Sequence, residues 1–348
     1  MNKKKNQGIE LLRFVFAIAV IFHHGFQTFY DSKQKLFLFR NGWIGVEFFF
    51  LVSGLLMASH VLRRSEKDGI AEKTSVYMLG RYRAVFLPHL CCFLLLFVEH
   101  VVFDRLSMVG CLIDLLKALP EMLLVHMSGL QLIRINMNDW YLSSLLLCSM
   151  AIYPLLRKMK RAYTTVAAPL LSLVTYGIMF QQTGSLTPSN VWCGLFLKGT
   201  IRAFAGINLG IFLYELSAWI DAAEISKPQK ALLWTVELAA YLVTFGAASF
   251  ALSKDLYFPV VLILAIGVAI TFSRFALWQV FLKEDTFPGR AIQFVGKTSL
   301  YIYLSQRVVL QLVVHAGVKN QHISMTIFAA GAILFGILLY YVFEKKRA

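Results

Sequence analysis

Apolar runs of about twenty residues recur along the chain, separated by short polar stretches that carry most of its lysines and arginines. The hydrocarbon core of a bilayer is about 30 Å thick, so a spanning helix needs about 20 mostly apolar residues. Runs of this length are too long for barrel strands, and a helix is then the element that satisfies its own backbone in lipid. The pattern predicts an all-α, polytopic integral membrane protein with about ten transmembrane helices. They are expected near residues 8–30, 42–62, 84–103, 140–157, 163–181, 198–219, 231–251, 256–279, 292–315 and 323–343. Segment 106–130 is apolar but broken by Asp114, Lys117, Pro120 and Glu121, and reads as an amphipathic or re-entrant piece. No long linker, repeat or low-complexity tract interrupts the series, so residues 1–348 read as one transmembrane domain.

Composition sharpens this picture. Of the 348 residues 58% are hydrophobic and only 15% charged, against roughly 45–50% and about 25% in a soluble domain. So few charges would not cover a water-facing surface of this size. The net charge of +15 sits between the apolar runs, not on one face, which makes it a topological signal and an attraction to anionic membrane lipid, with no nucleic-acid partner. With the N-terminus inside, 22 of the 34 basic residues fall on the cytoplasmic side and 9 on the outer side, leaving Arg13, Arg202 and Arg307 within helices. That asymmetry predicts both termini in the cytoplasm. Trp43, Trp140 and Trp192 then fall at outer helix ends, and Trp219, Trp234 and Trp278 at inner ends, where an indole is stable. The opening Lys3, Lys4 and Lys5 imitate a signal peptide, but the run behind them carries Glu10, Arg13, His23 and His24 and reads as a retained first helix. The five cysteines form no CxxC pair and read as free and buried, neither disulfides nor metal ligands.

An ionisable group inside a membrane helix costs roughly 2.5–3.5 kcal/mol at the centre, which makes each one a candidate for function. Arg13 and His24 are separated by a spacing that puts them about 20° apart around the first helix and about 16 Å apart along it. Glu47, near the outer end of the second helix, is expected at the depth of His24. A carboxylate beside an imidazole fixes its tautomer and raises its basicity, as a general base requires. Arg202 is expected at a similar depth in the sixth helix and Arg307 near the middle of the ninth. Structural pairing competes with these readings: Glu10 is placed to pair with Arg13. The other histidines, His60, His89, His100, His126, His315 and His322, read as structural or surface groups. Adjacent His23 and His24 point about 100° apart and make a poor metal site.

These residues also resemble those of a known family. Leu12-Arg13-Phe14 through His23-His24 resembles the arginine, ten residues, histidine motif of the acyltransferase-3 membrane proteins. Gly45-Val46-Glu47-Phe48-Phe49-Phe50-Leu51-Val52-Ser53-Gly54 resembles that family's acidic residue followed by aromatics and Ser-Gly. Trp140-Tyr141-Leu142-Ser143, Arg202 with Gly206 and Gly210, and Gly296 through Leu304 resemble three weaker family segments, in order along nearly the whole chain. Two positions depart from the pattern: Gln306 stands where the last motif often has histidine, and the basic segment before Leu87-Pro88 is spaced differently around Arg81-Tyr82-Arg83.

The resemblance implies a bacterial, multi-pass plasma-membrane O-acyltransferase. Its donor would be an acyl-CoA, usually acetyl-CoA, bound as a substrate and not as a tight cofactor. Its acceptor would be a hydroxyl of a cell-surface glycan or of its lipid-linked precursor. In that scheme Arg13 holds the CoA phosphates or arm, His24 is the catalytic base or else a covalent acyl carrier, and Glu47 orients it. Arg202 binds substrate or stabilises the oxyanion, and the acceptor enters past residues 104–139. A transporter or flippase of a lipid-linked glycan, or a non-catalytic membrane partner of the same fold, is the competing reading.

Overall fold

The computed structural model describes residues 6–63, 69–130, 132–282 and 285–344. The topological charges expected at Lys3, Lys4, Lys5, Arg64, Lys67, Lys283, Lys345, Lys346 and Arg347 lie outside the described residues. Helices dominate in the order α1 (Gln7–Phe29), α2 (Ile44–Leu62), α3 (Ile70–Phe103), α4 (Met108–Met122), α5 (Trp140–Met159), α6 (Ala168–Thr183), α7 (Lys198–Ala222), α8 (Lys227–Ser249), α9 (Tyr257–Phe272), α10 (Leu277–Phe281), α11 (Phe287–His315) and α12 (Gln321–Phe343). A π-helical turn, Tyr163–Ala167, leads into α6, and a two-residue hairpin, β1 (Trp192–Cys193) with β2 (Phe196–Leu197), precedes α7.

Among the described residues nine helices are long and apolar enough to cross a membrane. They correspond to nine of the ten expected spans. The remaining one, α11, has 29 residues but carries Gln306, Arg307 and Gln311 in its C-terminal half. It packs on α1, α3 and α12, and a helix lined by protein can hold polar groups that lipid would reject. The outer faces of the peripheral helices are apolar: Leu94 and Val98 of α3, Leu238 and Leu242 of α8, and Leu334 and Leu338 of α12 are exposed.

Small residues set the tightest seams. A Cβ at Gly54 of α2 would run into the Ile207 carbonyl of α7, and one at Gly210 of α7 into the Leu51 carbonyl of α2. The two backbones therefore touch, as happens at small-residue interfaces in membranes. Gly336 of α12 lies as closely on Ile302 of α11, where a Cβ would come within 2.6 Å of the Ile302 Cα. Asn6 starts α1 by accepting from the Ile9 amide at 3.1 Å, and its own amide ties that end to Thr271 O at the close of α9.

Two segments refine the sequence reading. Helix α3 begins at Ile70, well before the expected 84, and continues through Pro88. Its first turns are amphipathic, with Tyr77 stacked on Tyr153 at 4.0 Å, so hydropathy alone misses them. The interrupted segment becomes α4, capped by Ser107 through the Gly110 amide at 3.1 Å. At 15 residues it reaches about 22 Å, too short to cross a bilayer core. It exposes Met108, Leu112 and Leu116 and buries Ala118 and Glu121, the amphipathic piece expected there.

Candidate active site

A cavity of about 360 Å³ opens between α1, α2, α3, α5 and α11. Arg13, Arg81 and Lys297 line it together with Glu10 and Glu344, and Ser53, Tyr141, Ser299 and Tyr303 add hydroxyls to an otherwise apolar wall. Glu10 near the start of α1 and Glu344 just past α12 share this cavity, so those two chain segments lie at the same end of the bundle. Arg13 Nη1 is 3.3 Å from Glu10 Oε1, the expected pair, yet a third of the Arg13 side chain remains accessible. Helix α11 approaches α1 closely here: a Cβ at Gly296 would come within 2.7 Å of the Glu10 Cβ. Arg81 lies over the Tyr77 ring, 5.2 Å from its centroid, and its buried Nη1 has no partner. A cationic entrance with an unpaired guanidinium nitrogen suits an anionic ligand such as a phosphate. Deeper in, the Tyr141 hydroxyl meets Ser53, and the Tyr303 hydroxyl donates to the Asn138 carbonyl.

His24 is beyond this cavity's walls, three turns along α1 from Arg13 on the same face. Its ring lies 5.4 Å from the His23 ring, hydrogen-bonds the Gln27 side chain and feels the charge of Arg307. His23 has a separate job: its Nδ1 donates to the Arg40 carbonyl at 2.6 Å and pins the α1–α2 loop.

Glu47 does not sit on His24. Its Oε1 accepts from Arg202 Nε and its Oε2 accepts from the Tyr176 hydroxyl at 2.7 Å. Arg202 Nη2 donates to the Trp43 carbonyl at 3.0 Å, and the guanidinium lies over the Trp43 and Trp140 rings at 5.5 and 5.4 Å. Both partners are buried, Glu47 completely. The reason is the glycine seam between α2 and α7, which turns Glu47 toward Gly206 and Arg202 and away from α1. The expected His24–Glu47 dyad is therefore replaced by a Glu47–Arg202 pair, and Arg202 is committed to α2 and two tryptophans.

A second polar cluster was not singled out by the sequence reading. Glu121 of α4 accepts from the Ile135 amide at 2.8 Å and from the Asn136 amide. Asp139, at the N-terminus of α5, lies 3.4 Å from His126 Nε2 and 3.9 Å from His89 Nδ1, with neither of its oxygens hydrogen-bonded. Burial pushes the Glu121 carboxyl up to about 7 and, with Glu121 beside it, raises Asp139 well above the usual carboxylate range. Burial also lowers His126 to about 3, so that ring is neutral. The signal available in the sequence was Pro120-Glu121 inside an apolar stretch and the polar run Asn136 to Asp139 directly before Trp140. Among the described residues no group of three or more histidines, cysteines and carboxylates could hold a metal ion, and all five cysteines are free.

The sequence model of the acyltransferase domain matches residues 6–344 of this chain, nearly its whole length. No curated protein and no solved structure matches it.

Proposed function

The chain belongs to the acyltransferase-3 family of membrane acyltransferases, and from that premise we propose that it moves an acetyl group from acetyl-CoA to a hydroxyl of a cell-surface glycan or its lipid-linked precursor. The observation that carries this reading is the cavity with Arg13, Arg81 and Lys297 at its polar end and hydroxyls and apolar side chains further in. CoA has the matching polarity: phosphates at one end, a narrow pantetheine arm, and a thioester at the other. In this reading the basic end of the bundle, where Glu10 and Glu344 share the cavity, faces the cytoplasm of a bacterial cell, where acyl-CoA is made.

In this reading Arg13 and Arg81 hold the phosphates. The arm extends along α1, whose Arg13-to-His24 interval is about 16 Å, and the thioester comes to rest near His24. The His24 ring removes the acceptor's hydroxyl proton as the oxygen attacks the thioester carbon, then returns that proton to the CoA thiolate. Trapping the hydroxyl and thioester together supplies the proximity term. Glu47 and Arg202 serve the site by holding α2 and α7 in register.

The test is label transfer from acetyl-CoA carrying the label in its acetyl group, with wild-type and His24→Ala membranes compared. Label leaving CoA in the wild type and staying in the variant is the expected result. Equal transfer by both at equal insertion refutes the assignment of His24, and glycan movement without acetylation favours a transporter.

A further inference from the structure

With Arg202 enclosed by Glu47, Trp43 and Trp140, the bundle holds a different arginine open to the reaction. Arg307 lies on α11 one turn beyond Tyr303 and two turns beyond Leu300, both of which line the cavity. Seven residues bring a helix back to within about 20° of the same direction, so Arg307 continues the wall that Leu300 and Tyr303 begin. Helices α1 and α11 run parallel: Gly296 meets Glu10 near one end, and Leu310 packs in one cluster with Ile21 further along. Arg307 therefore stands one to two turns short of His24, and its charge acts on that ring.

Its bonding is unfinished. Its Nε is buried with no partner, and Nη2 reaches only the Met137 sulfur at 3.4 Å. Among the described residues it makes no ion pair within 4 Å. Glu99 and Glu121 attract it through space and Arg134 repels it, and none of the three occupies its donors. A buried guanidinium N–H without a partner is costly unless something else uses it.

We propose that Arg307 is a catalytic residue of the acyl transfer, its guanidinium receiving the negative charge that forms on the thioester carbonyl oxygen beside His24. The proposal rests on the acyltransferase reading above. As the acceptor oxygen bonds to the carbonyl carbon, its proton passes to the His24 ring and the carbonyl electron pair moves onto oxygen, where Arg307 N–H groups donate to it. Collapse re-forms the carbonyl and breaks the C–S bond, and the departing thiolate takes the proton from the His24 imidazolium. Atoms and charge balance without a co-reactant. Preorganised donors at such an oxygen act where the charge develops, in a site that excludes water.

The experiment uses the full chain in lipid nanodiscs, acetyl-labelled acetyl-CoA as donor, and glucose and water as hydroxyl probes. Variants are Arg307→Gln, Arg307→Lys and Arg307→Ala, with His24→Ala beside them, each compared with wild type for its thermal transition. For Arg307→Gln kcat should fall roughly 10²–10³-fold, the loss typical of removing one oxyanion donor, while KM for acetyl-CoA stays within about twofold. Arg307→Lys should keep more activity than Arg307→Gln, and added guanidinium should restore part of the Arg307→Ala rate, which repair of a merely structural defect would not do. A folded Arg307→Gln turning over at the wild-type rate, while His24→Ala is inactive, removes Arg307 and leaves the acyltransferase reading standing. A rise in KM with kcat unchanged removes it as well, because that is ground-state binding. A wild type that transfers acetyl to neither probe overturns both.

Discussion

Replacing Glu47 by Gln separates a structural carboxylate from a catalytic one. The carboxylate is fully buried and meets Arg202 Nε, while the Tyr176 hydroxyl occupies its second oxygen at 2.7 Å. The substitution keeps the shape but leaves the Arg202 charge buried with only the Trp43 carbonyl and two indole faces around it. Loss of a hydrogen bond to a charged group costs about 1.5–3 kcal/mol, and breaking a buried pair from one side costs about 3–5 kcal/mol. The two stacked rings offset part of that, each by about 0.5–2 kcal/mol. An overall destabilisation of about 2–4 kcal/mol follows for Glu47→Gln. Combining it with Arg202→Met, which removes the stranded charge, should recover part of the loss, with a coupling energy of about 1–3 kcal/mol. Heating the protein in detergent with a thiol-reactive dye reads unfolding through the buried Cys92 and Cys148. The reasoning is refuted if Glu47→Gln unfolds at the wild-type temperature yet has lost acetyl transfer, for then Glu47 acts on the chemistry and the Arg202 pair is incidental.

The remaining predictions test other parts of the molecule. Gly210→Ala should force α7 off the Leu51 backbone and destabilise by about 1–3 kcal/mol or more, read by the same dye. Arg81→Ala should raise KM for acetyl-CoA at least about tenfold, or 1.4 kcal/mol, with little change in kcat, and the penalty should shrink with a donor truncated to lack the CoA phosphates. Glu121 and Asp139 have folded carboxyls raised by burial. Their contribution to stability is complete below the unfolded carboxyl range near pH 4 and is lost as pH rises through about 7 for Glu121. Hydrogen exchange at the Ile135 and Asn136 amides should therefore quicken from acid to neutral pH beyond its intrinsic increase, and Asp139→Asn should flatten that extra slope; an unchanged slope would show that these carboxyls do not govern the loop.

The fold was legible because lipid imposes a simple rule on each helix, and that rule acts locally. Apolar runs located nearly every spanning helix, and the charge breaks at Asp114, Lys117 and Pro120 correctly set α4 apart. The rule fails where a helix faces protein. The early start of α3 is amphipathic because its first turns pack Tyr77 against Tyr153; α11, expected at 292–315, is the most polar of the long helices, and α1, α3 and α12 pack on it.

The site was legible only along single helices. The Arg13–His24 interval is a property of α1 alone, and any straight helix of that sequence would have it. The partnership of Glu47 is a property of three helices. Depth along the membrane put Glu47 level with His24, but depth does not say which way a side chain turns. That was decided by Gly54 and Gly210, whose missing side chains let α2 and α7 meet backbone to backbone and bring Arg202 onto Glu47. The same seam explains why Arg202 and Arg307, both arginines within helices, differ so much. Arg202 lies beside that seam and its charge is neutralised at once by Glu47; Arg307 lies on α11 beyond the cavity-lining Tyr303, and its Nε has no partner. A buried charge in a membrane protein thus points to chemistry only after its neighbours have been counted, and that count is what separates Arg307, with an unpaired Nε, from Arg202.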